Sequence, residues 1–149
     1  MKRYLQHFSR RLIPLLVVLG LFAWQYFDSG SNYNPGSAGT GSGEVETAFI
    51  EQRSGEWVVT SGRVSQLLAD DNDGSRHQRF ILDLGGGHTL LVSHNIDLAR
   101  RLPLTRNDQV ALRGRYEWNP HGGVVHWTHH DPSGRLQGGW ILHEGTRYR

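Results

Sequence analysis

A nearly apolar run of 16 residues, Leu12 to Phe27, limits which part of this chain can fold as a water-soluble domain. As a helix it spans about 24 Å at ~1.5 Å per residue, somewhat less than a hydrocarbon core of about 30 Å. The arginines that precede it can extend this reach by snorkelling, and Trp24 and Tyr26 suit a membrane interface. We therefore predict a transmembrane signal anchor over residues 12–27.

The charges around this run predict its orientation. Basic residues cluster on its N-terminal side only, which places residues 1–11 in the cytoplasm by the positive-inside rule. The expectation is a single-pass protein of a bacterial inner membrane, with its C-terminal part in the periplasm or outside the cell. A cleaved signal peptide is the alternative, but bulky residues follow Ala23, so we favour the uncleaved anchor. Both alternatives export the remainder of the chain.

The rest of the chain divides into a linker and one domain. Residues 28–44 are rich in Gly and Ser and predict a flexible tether, because they bury too little apolar surface to fold. Residues 45–149 hold 12 of the 16 basic and 12 of the 14 acidic residues, so this domain is formally neutral. Phosphate binding usually requires a clear positive excess, which argues against nucleic acid as a partner. The absence of cysteine excludes disulfides, thiolate metal ligands and a cysteine nucleophile.

The apolar pattern predicts a domain made mainly of strands. Spacings of three and four residues favour a helix over residues 44–52. Alternation and β-branched residues then predict strands over residues 57–68, 79–84, 88–94, 110–118 and 124–128, and a final hairpin of 140–143 and 146–148. Gly62, inside the first strand, indicates a bend or bulge. Asn95 and Pro103 delimit a short connecting helix, 96–102.

This order of elements predicts a small OB-like five-stranded barrel with a short helix, preceded by an N-terminal transmembrane helix and a Gly/Ser linker. A bent first strand, a hairpin, a connecting helix and a closing hairpin are what such a barrel requires. An SH3-like barrel or an open β-sandwich is the alternative.

Five segments of the domain carry a family resemblance. They read HQRFIL (77–82), TLLVSHNIDLARRLPL (89–104), YEWN (116–119), GGVVHWTHHDP (122–132) and GGWI (138–141). They resemble domain-of-unknown-function family 3465 over roughly residues 57–149, and HWTHHDP is the most specific part. The resemblance implies a small exported or membrane-anchored bacterial protein and no particular activity.

Polar and aromatic residues of the second half are the candidates for a binding patch. They are His94, Asn95, Asp97, Trp118, Asn119, His126, His129, His130, Asp131 and Trp140. If the strand that contains them continues through Thr128, His126 and His130 share its solvent or groove face, while Trp127 lies on the core face. His94 has the parity of core positions, so we expect a partly buried ring with satisfied hydrogen bonds.

Aromatic side chains of the domain also offer stacking surface. We expect Tyr116 and Trp127 to fill the core, and the sequence does not decide between core and surface for Trp118 and Trp140. Arg113 and Arg115 supply charge. OB folds bind oligonucleotides and oligosaccharides across such a face.

The histidine cluster also allows a metal hypothesis. Two neutral imidazoles, His126 and His130, with Asp131, Asp97 or His94 as a third ligand, match the donor set of a zinc site with an open position for water. Such a site supports hydrolysis, for example of phosphodiesters. The spacing H-x-x-H-H-D matches none of the strong metal signatures, so we favour structural or ligand-contacting histidines.

These observations lead to two functional hypotheses. The first is a non-enzymatic binding or assembly module without a cofactor, which presents a polar-aromatic patch to an envelope glycan, peptide or protein. The alternative is a metal-dependent hydrolase that uses the cluster from His126 to Asp131. The sequence has no serine-hydrolase elbow and no P-loop.

Overall fold

A computed structural model of the protein describes residues 42–149. The predicted anchor and most of the predicted linker lie outside these residues. Within residues 42–149, no helix is long and apolar enough to span a bilayer. The described part begins with helix α1 (Ser42–Ile50), close to where the apolar spacing predicts one.

Seven strands follow α1 and agree with the predicted strands to within a few residues. They are β1 (Glu56–Leu67), β2 (His77–Asp83), β3 (Thr89–Asn95), β4 (Gln109–Glu117), β5 (Val124–His126), β6 (Trp140–His143) and β7 (Thr146–Tyr148). The final hairpin, β6–β7, has the predicted bounds. The fifth strand is shorter than predicted, because β5 ends at His126.

Five of these strands close into a barrel. The long strand β1 pairs antiparallel with β4 through its first half and with β2 through its second half. Strand β2 pairs with β3, β3 pairs with β5 in parallel, and β5 pairs antiparallel with β4. The circuit β1-β2-β3-β5-β4 therefore returns to β1. The predicted five-stranded barrel is confirmed, and the open β-sandwich alternative is wrong.

One edge of β4 is shared by two short strands in succession. Strand β5 pairs with Arg115–Glu117, and β6 pairs with Val110–Arg113. Residues 127–139 leave the sheet between these two strands and return to it, and we call them the 127–139 loop. Strand β7 pairs with β6 and extends the sheet beyond the barrel.

Gly62 lies where β1 crosses close to the end of β2. A Cβ atom at this position would lie 2.3 Å from the carbonyl oxygen of Asp83, so only glycine fits. The register of β1 against β2 shifts between Val64 and Gln66. The predicted irregularity therefore exists a few residues further along β1, and Gly62 is required by the close approach.

The predicted helix 96–102 is wrong. Asn95 Oδ1 accepts hydrogen bonds from the N–H groups of Asp97 (2.9 Å) and Leu98 (3.2 Å), as a helix cap would. The chain then leaves the helical path, because the buried amide of Gln78 holds Leu102. Its nitrogen donates to the Leu102 carbonyl and its oxygen accepts from the Leu102 N–H, both at 2.9 Å. This tertiary clamp overrides a short local helical preference.

The barrel interior is filled by large apolar side chains. Phe80, Leu82 and Tyr116 are fully buried, and Tyr116 occupies the core as predicted. Helix α1 packs against this core through Val45 and Ala48, both fully buried. The burial of these apolar faces stabilises the domain.

Candidate functional site

The ten candidate patch residues do not form one patch. His94 lies inside the barrel wall, and His129 is buried at the base of the 127–139 loop. Asn95 and Asp97 shape one turn and Trp118 and Asn119 another. His126 and Trp140 remain on the outer face of the barrel.

His94 is a buried structural residue, as the sequence predicts. Its Nε2–H donates to the Arg100 carbonyl at 3.1 Å, and its Nδ1 accepts from the Thr128 hydroxyl at 2.8 Å. Burial lowers the pKa of His94 to about 4, so the ring is neutral at pH 7. With both ring nitrogens occupied, His94 has no free position for a metal or a ligand.

Asp97 belongs to the turn after β3 and is paired with Arg76. Its carboxylate accepts from the Arg76 backbone N–H at 2.8 Å and from the Arg76 Nε–H at 2.7 Å. These hydrogen bonds hold the pKa of Asp97 below its usual value. The residue therefore fixes the approach of the β2 start to this turn.

Trp118 and Asn119 support the end of the barrel near α1. The Trp118 Nε1–H donates to the Phe49 carbonyl at 3.1 Å, and its backbone N–H donates to Ser54 Oγ at 2.8 Å. Asn119 Oδ1 accepts from the N–H groups of His121 (2.9 Å) and Gly123 (3.2 Å). Both side chains are therefore used to position α1 and the turn between β4 and β5.

The backbone conformation of Trp127 changes the direction of the chain directly after β5. Its φ of 56° is unusual for a residue with a large side chain and ends β5. The predicted alternation is therefore wrong beyond His126, because Thr128, expected on the outer face, is buried and Trp127, expected in the core, is only half-buried. The Trp127 indole stacks on His129, with ring centroids 5.6 Å apart.

The 127–139 loop is closed by its own polar groups. Asp131 accepts hydrogen bonds from Ser133 Oγ (2.6 Å), from the Ser133 N–H (3.1 Å) and from the N–H groups of Arg135 and Leu136 (both 2.9 Å). These hydrogen bonds lower the pKa of Asp131 to about 2, and the bond from the Ser133 hydroxyl has the largest effect. The Gly139 N–H donates to the His129 carbonyl at 2.7 Å and joins the two ends.

The structure does not bring His126, His130 and Asp131 together as a metal site. Asp131 is committed to its own turn, and His126 Nε2 faces Glu117 Oε1 at 3.6 Å on the outer face. His130 is exposed in the loop. Across residues 42–149, no three His, Cys, Asp or Glu side chains are grouped so that they can hold a metal ion. The described residues do not group this ligand set, because Trp127 breaks the strand on which its spacing depends.

Alternating tryptophans and arginines form a continuous row on the outer face of β1, β4, β6 and β7. The Arg113 guanidinium lies over the Trp57 ring at 4.3 Å, and that of Arg147 lies over the Trp140 ring at 4.7 Å. Trp140 is directly opposite Arg113 in the β4–β6 register. We call these four residues the Trp–Arg row. Each stack contributes about 0.5–1 kcal/mol at an exposed site and fixes the orientation of a guanidinium.

The Trp–Arg row is joined to the 127–139 loop through Arg113. One guanidinium nitrogen of Arg113 donates to the Gly138 carbonyl at the base of the loop. Partial burial lowers the pKa of Arg113, although the group remains charged at any physiological pH. Arg113 therefore positions both the Trp57 ring and the loop.

Arg115, Glu117 and His126 lie beside the row on β4 and β5. Arg115 is opposite Trp57 on one side and His126 on the other. Glu117 Oε1 lies 3.7 Å from Arg115 Nε and 3.6 Å from His126 Nε2. Burial lowers the pKa of His126, and Glu117 opposes this effect. We call Arg115, Glu117 and His126 the margin of the Trp–Arg row. The margin supplies one exposed guanidinium and one carboxylate next to the indoles.

The sequence singles out Arg113 and Arg115 as charged groups and leaves the placement of Trp140 undecided, but it does not single out Trp57 or Arg147. Both stacks are diagonal pairs across neighbouring strands, so they depend on the registers β1–β4 and β6–β7. The signal available in the sequence was the outward parity of Trp57 on β1 and of Arg147 on the last strand.

The family of the chain is shown by comparison with known proteins. The model of the family described as Protein of unknown function (DUF3465) matches residues 34–149, and the chain belongs to this family. No curated protein matches the chain.

Proposed function

We propose that this member of the DUF3465 family is a non-catalytic binding module, held at a bacterial inner membrane by an N-terminal signal anchor. The domain presents the Trp–Arg row to a component of the cell envelope. The observation that carries the proposal is the continuity of the row, in which two indoles and two guanidiniums are held in a fixed order by four strands.

The topology supports an OB-type barrel. The strand circuit and the parallel pairing of β3 with β5 close a five-stranded barrel in which neighbours in space are not all neighbours in sequence. OB barrels bind polymers across an open face with aromatic and charged side chains. The departure from that plan is the fifth strand, which the 127–139 loop divides into β5 and β6.

Rigidity of the Trp–Arg row favours binding. A long arginine side chain normally loses rotamer freedom when it binds a ligand, at a cost of about 0.5–1.5 kcal/mol for each immobilised side chain. The stacks on Trp57 and Trp140 restrict Arg113 and Arg147 before any ligand arrives. Aromatic and arginine side chains are also the types that dominate binding energy at interfaces.

The predicted tether supports an envelope location. An apolar run of 16 residues with basic residues on one side only, followed by a Gly/Ser-rich segment, suits a domain displayed on the far side of the membrane. A periplasm-dependent reporter fused after Arg149 tests this part. We expect this reporter to be active. If only a reporter that requires the cytoplasm is active at the same position, the proposed orientation is wrong.

The binding role is tested with the full chain purified in detergent micelles. Immobilised polymers of different chemistry serve as probes: an acidic polysaccharide, a neutral glucan, an unstructured peptide and a single-stranded oligonucleotide. We expect at least one probe to bind and Trp57→Ala and Trp140→Ala to weaken that binding about tenfold or more. Arg79→Ala is the matched control, because Arg79 lies on β2, which pairs with β1 and β3 but not with β4 or β6. Binding by none of the probes, or equal binding by all variants, overturns the proposal.

A further inference from the structure

The 127–139 loop covers one side of the buried His94 ring. Thr128, near the start of the loop, places its hydroxyl 2.8 Å from His94 Nδ1. The other ring nitrogen donates to the carbonyl of Arg100, in the connection between β3 and β4. His94 and Thr128 are both fully buried, so water reaches Nδ1 only when the loop moves or the whole barrel opens.

Movement of the loop costs less free energy than opening of the barrel. None of its residues belongs to the apolar core of the part of the chain that the structure describes, and residues 132–137 are exposed. Its base is held by hydrogen bonds instead, which join Thr128 to His94, Gly139 to the His129 carbonyl and Arg113 to the Gly138 carbonyl. Opening the loop breaks these bonds but exposes little apolar surface, which is typical of a local opening below global unfolding.

A proton on His94 is unfavourable while the loop is closed. Burial lowers the pKa of His94 to about 4, and positive charge on His129 or His77 opposes protonation further. Arg100 contacts the ring through its carbonyl, while its guanidinium lies over the ring of Tyr148. Among the described residues that act on His94 by charge, none is a carboxylate. A charged His94 ring therefore depends on water for its stabilisation.

We propose that proton uptake at His94 shifts the 127–139 loop toward an open form while the barrel remains folded. The open loop removes the Thr128 hydroxyl from the ring and allows water to hydrate the imidazolium. Arg113 loses the Gly138 carbonyl, so the loop controls how one guanidinium of the Trp–Arg row is held. The opening needs no ligand and does not depend on whether the row binds one.

Asp131, the other strongly shifted group of the loop, does not cause this opening. Its pKa is about 2, so its carboxylate stays charged between pH 7 and pH 5. The hydrogen bonds from Ser133, Arg135 and Leu136 to this carboxylate are therefore kept over that range. Acid acts on the base of the loop, where Thr128 meets His94, and leaves the turn at its tip intact.

The test is amide exchange of the full, folded chain in detergent micelles at pH 7 and pH 5. Protection factors are compared, because they remove the intrinsic effect of pH on exchange. The Gly139 amide reports the base of the loop, since it donates to the His129 carbonyl. We expect its protection to fall about tenfold or more from pH 7 to pH 5, because the hydrated ring in the open form regains an ordinary histidine pKa. At both pH values, amides of β2 and β4 are expected to stay about tenfold or more better protected than Gly139.

His94→Gln removes the titrating group, and the protection of Gly139 is then expected to be equal at pH 7 and pH 5. His121→Gln is the matched control, because His121 is exposed in the turn between β4 and β5, and it keeps the full pH effect.

The native chain alone can contradict the proposal, so the result does not depend on the folding of the variants. If the protection of Gly139 is unchanged between pH 7 and pH 5, the loop opens without exposing His94. If Gly139 is as well protected as β2 and β4, it exchanges only when the barrel unfolds. A pH effect that persists in His94→Gln belongs to another group. Each of these results overturns the proposal.

Discussion

The Thr128 hydroxyl lies 2.8 Å from Nδ1 of His94, inside the wall of the barrel. Thr128 belongs to the 127–139 loop and His94 to β3, and both side chains are fully buried. Because the opposite nitrogen of the same ring donates to the Arg100 carbonyl, one imidazole joins a strand, a loop and the connection between β3 and β4. Within the segment HWTH, residues 126–129, Thr128 is therefore the residue that hydrogen-bonds the buried, neutral ring of His94.

Removal of the Thr128 hydroxyl is expected to destabilise the domain. Thr128→Val preserves the shape and leaves His94 Nδ1 as a buried acceptor without a donor, which costs about 1–3 kcal/mol. Chemical denaturation of the full chain, followed by tryptophan fluorescence, measures the change in free energy of unfolding. Thr89→Val is the matched control, because Thr89 is exposed on β3. Equal stability of both variants contradicts the role of this hydrogen bond.

His94 also predicts how stability depends on pH. Burial lowers its pKa from 6.5 to about 4, so between these values the unfolded chain binds a proton that the native chain does not. The contribution of His94 to the free energy of unfolding is therefore complete above pH 6.5. It decreases as the pH falls toward 4, and below pH 4 no further loss occurs. At about 1.4 kcal/mol per pKa unit, the loss is on the order of 3 kcal/mol.

His94→Gln is the variant that tests this pH dependence. The unfolding free energy of the variant is expected to change less between pH 6.5 and pH 4 than that of the native chain. Part of the change in unfolding free energy with pH remains in the variant, because the pKa of His126 is lowered as well. Parallel curves for the two proteins contradict the assignment of this slope to His94.

The fold was predictable from the sequence where alternation is strict and turns contain glycine. The alternation of β4 and the Glu144-Gly145 turn of the last hairpin follow from local pattern, except at Ala111, which has outward parity and is nevertheless buried. The connecting segment was not predictable, since the helical preference after Asn95 loses to the Gln78 clamp on Leu102. That clamp joins residues far apart in sequence, and no local signal reports it.

The candidate site was predictable only in part. His94 was assigned correctly because strand parity decides its burial. The cluster after His126 was not, because the parity argument assumes an extended backbone and Trp127 adopts a positive φ. The Trp–Arg row could not be predicted for a different reason. Its stacks join residues diagonally across neighbouring strands, so they can be identified only when the strand registers are known.

Two glycines of the 127–139 loop allow a controlled test of its packing. Gly134 and Gly138 have the same φ of 67°, but a Cβ on Gly134 meets nothing within 4 Å. A Cβ on Gly138 would lie 2.7–2.9 Å from backbone atoms of His129, His130 and Asp131. Gly134→Ala is expected to cost about 1–2 kcal/mol for the left-handed conformation alone.

Gly138→Ala is expected to destabilise the domain by clearly more than Gly134→Ala. The additional cost arises because backbone atoms cannot move aside as a flexible side chain does, so the base of the loop must open. Equilibrium unfolding of both variants measures the difference, and amide exchange at Gly139 reports the opening. Equal costs for the two substitutions mean that the loop base is not tightly packed.

The margin of the Trp–Arg row predicts opposite effects of two substitutions on one titration. Burial lowers the pKa of His126, Glu117 raises it through a hydrogen bond and its charge, and Arg115 lowers it through its charge. Glu117→Gln is therefore expected to lower this pKa further, and Arg115→Ala to raise it. NMR titration of the His126 ring protons, assigned by comparison with His126→Gln, measures both shifts. Movement of the pKa in the same direction in both variants contradicts this arrangement of charges.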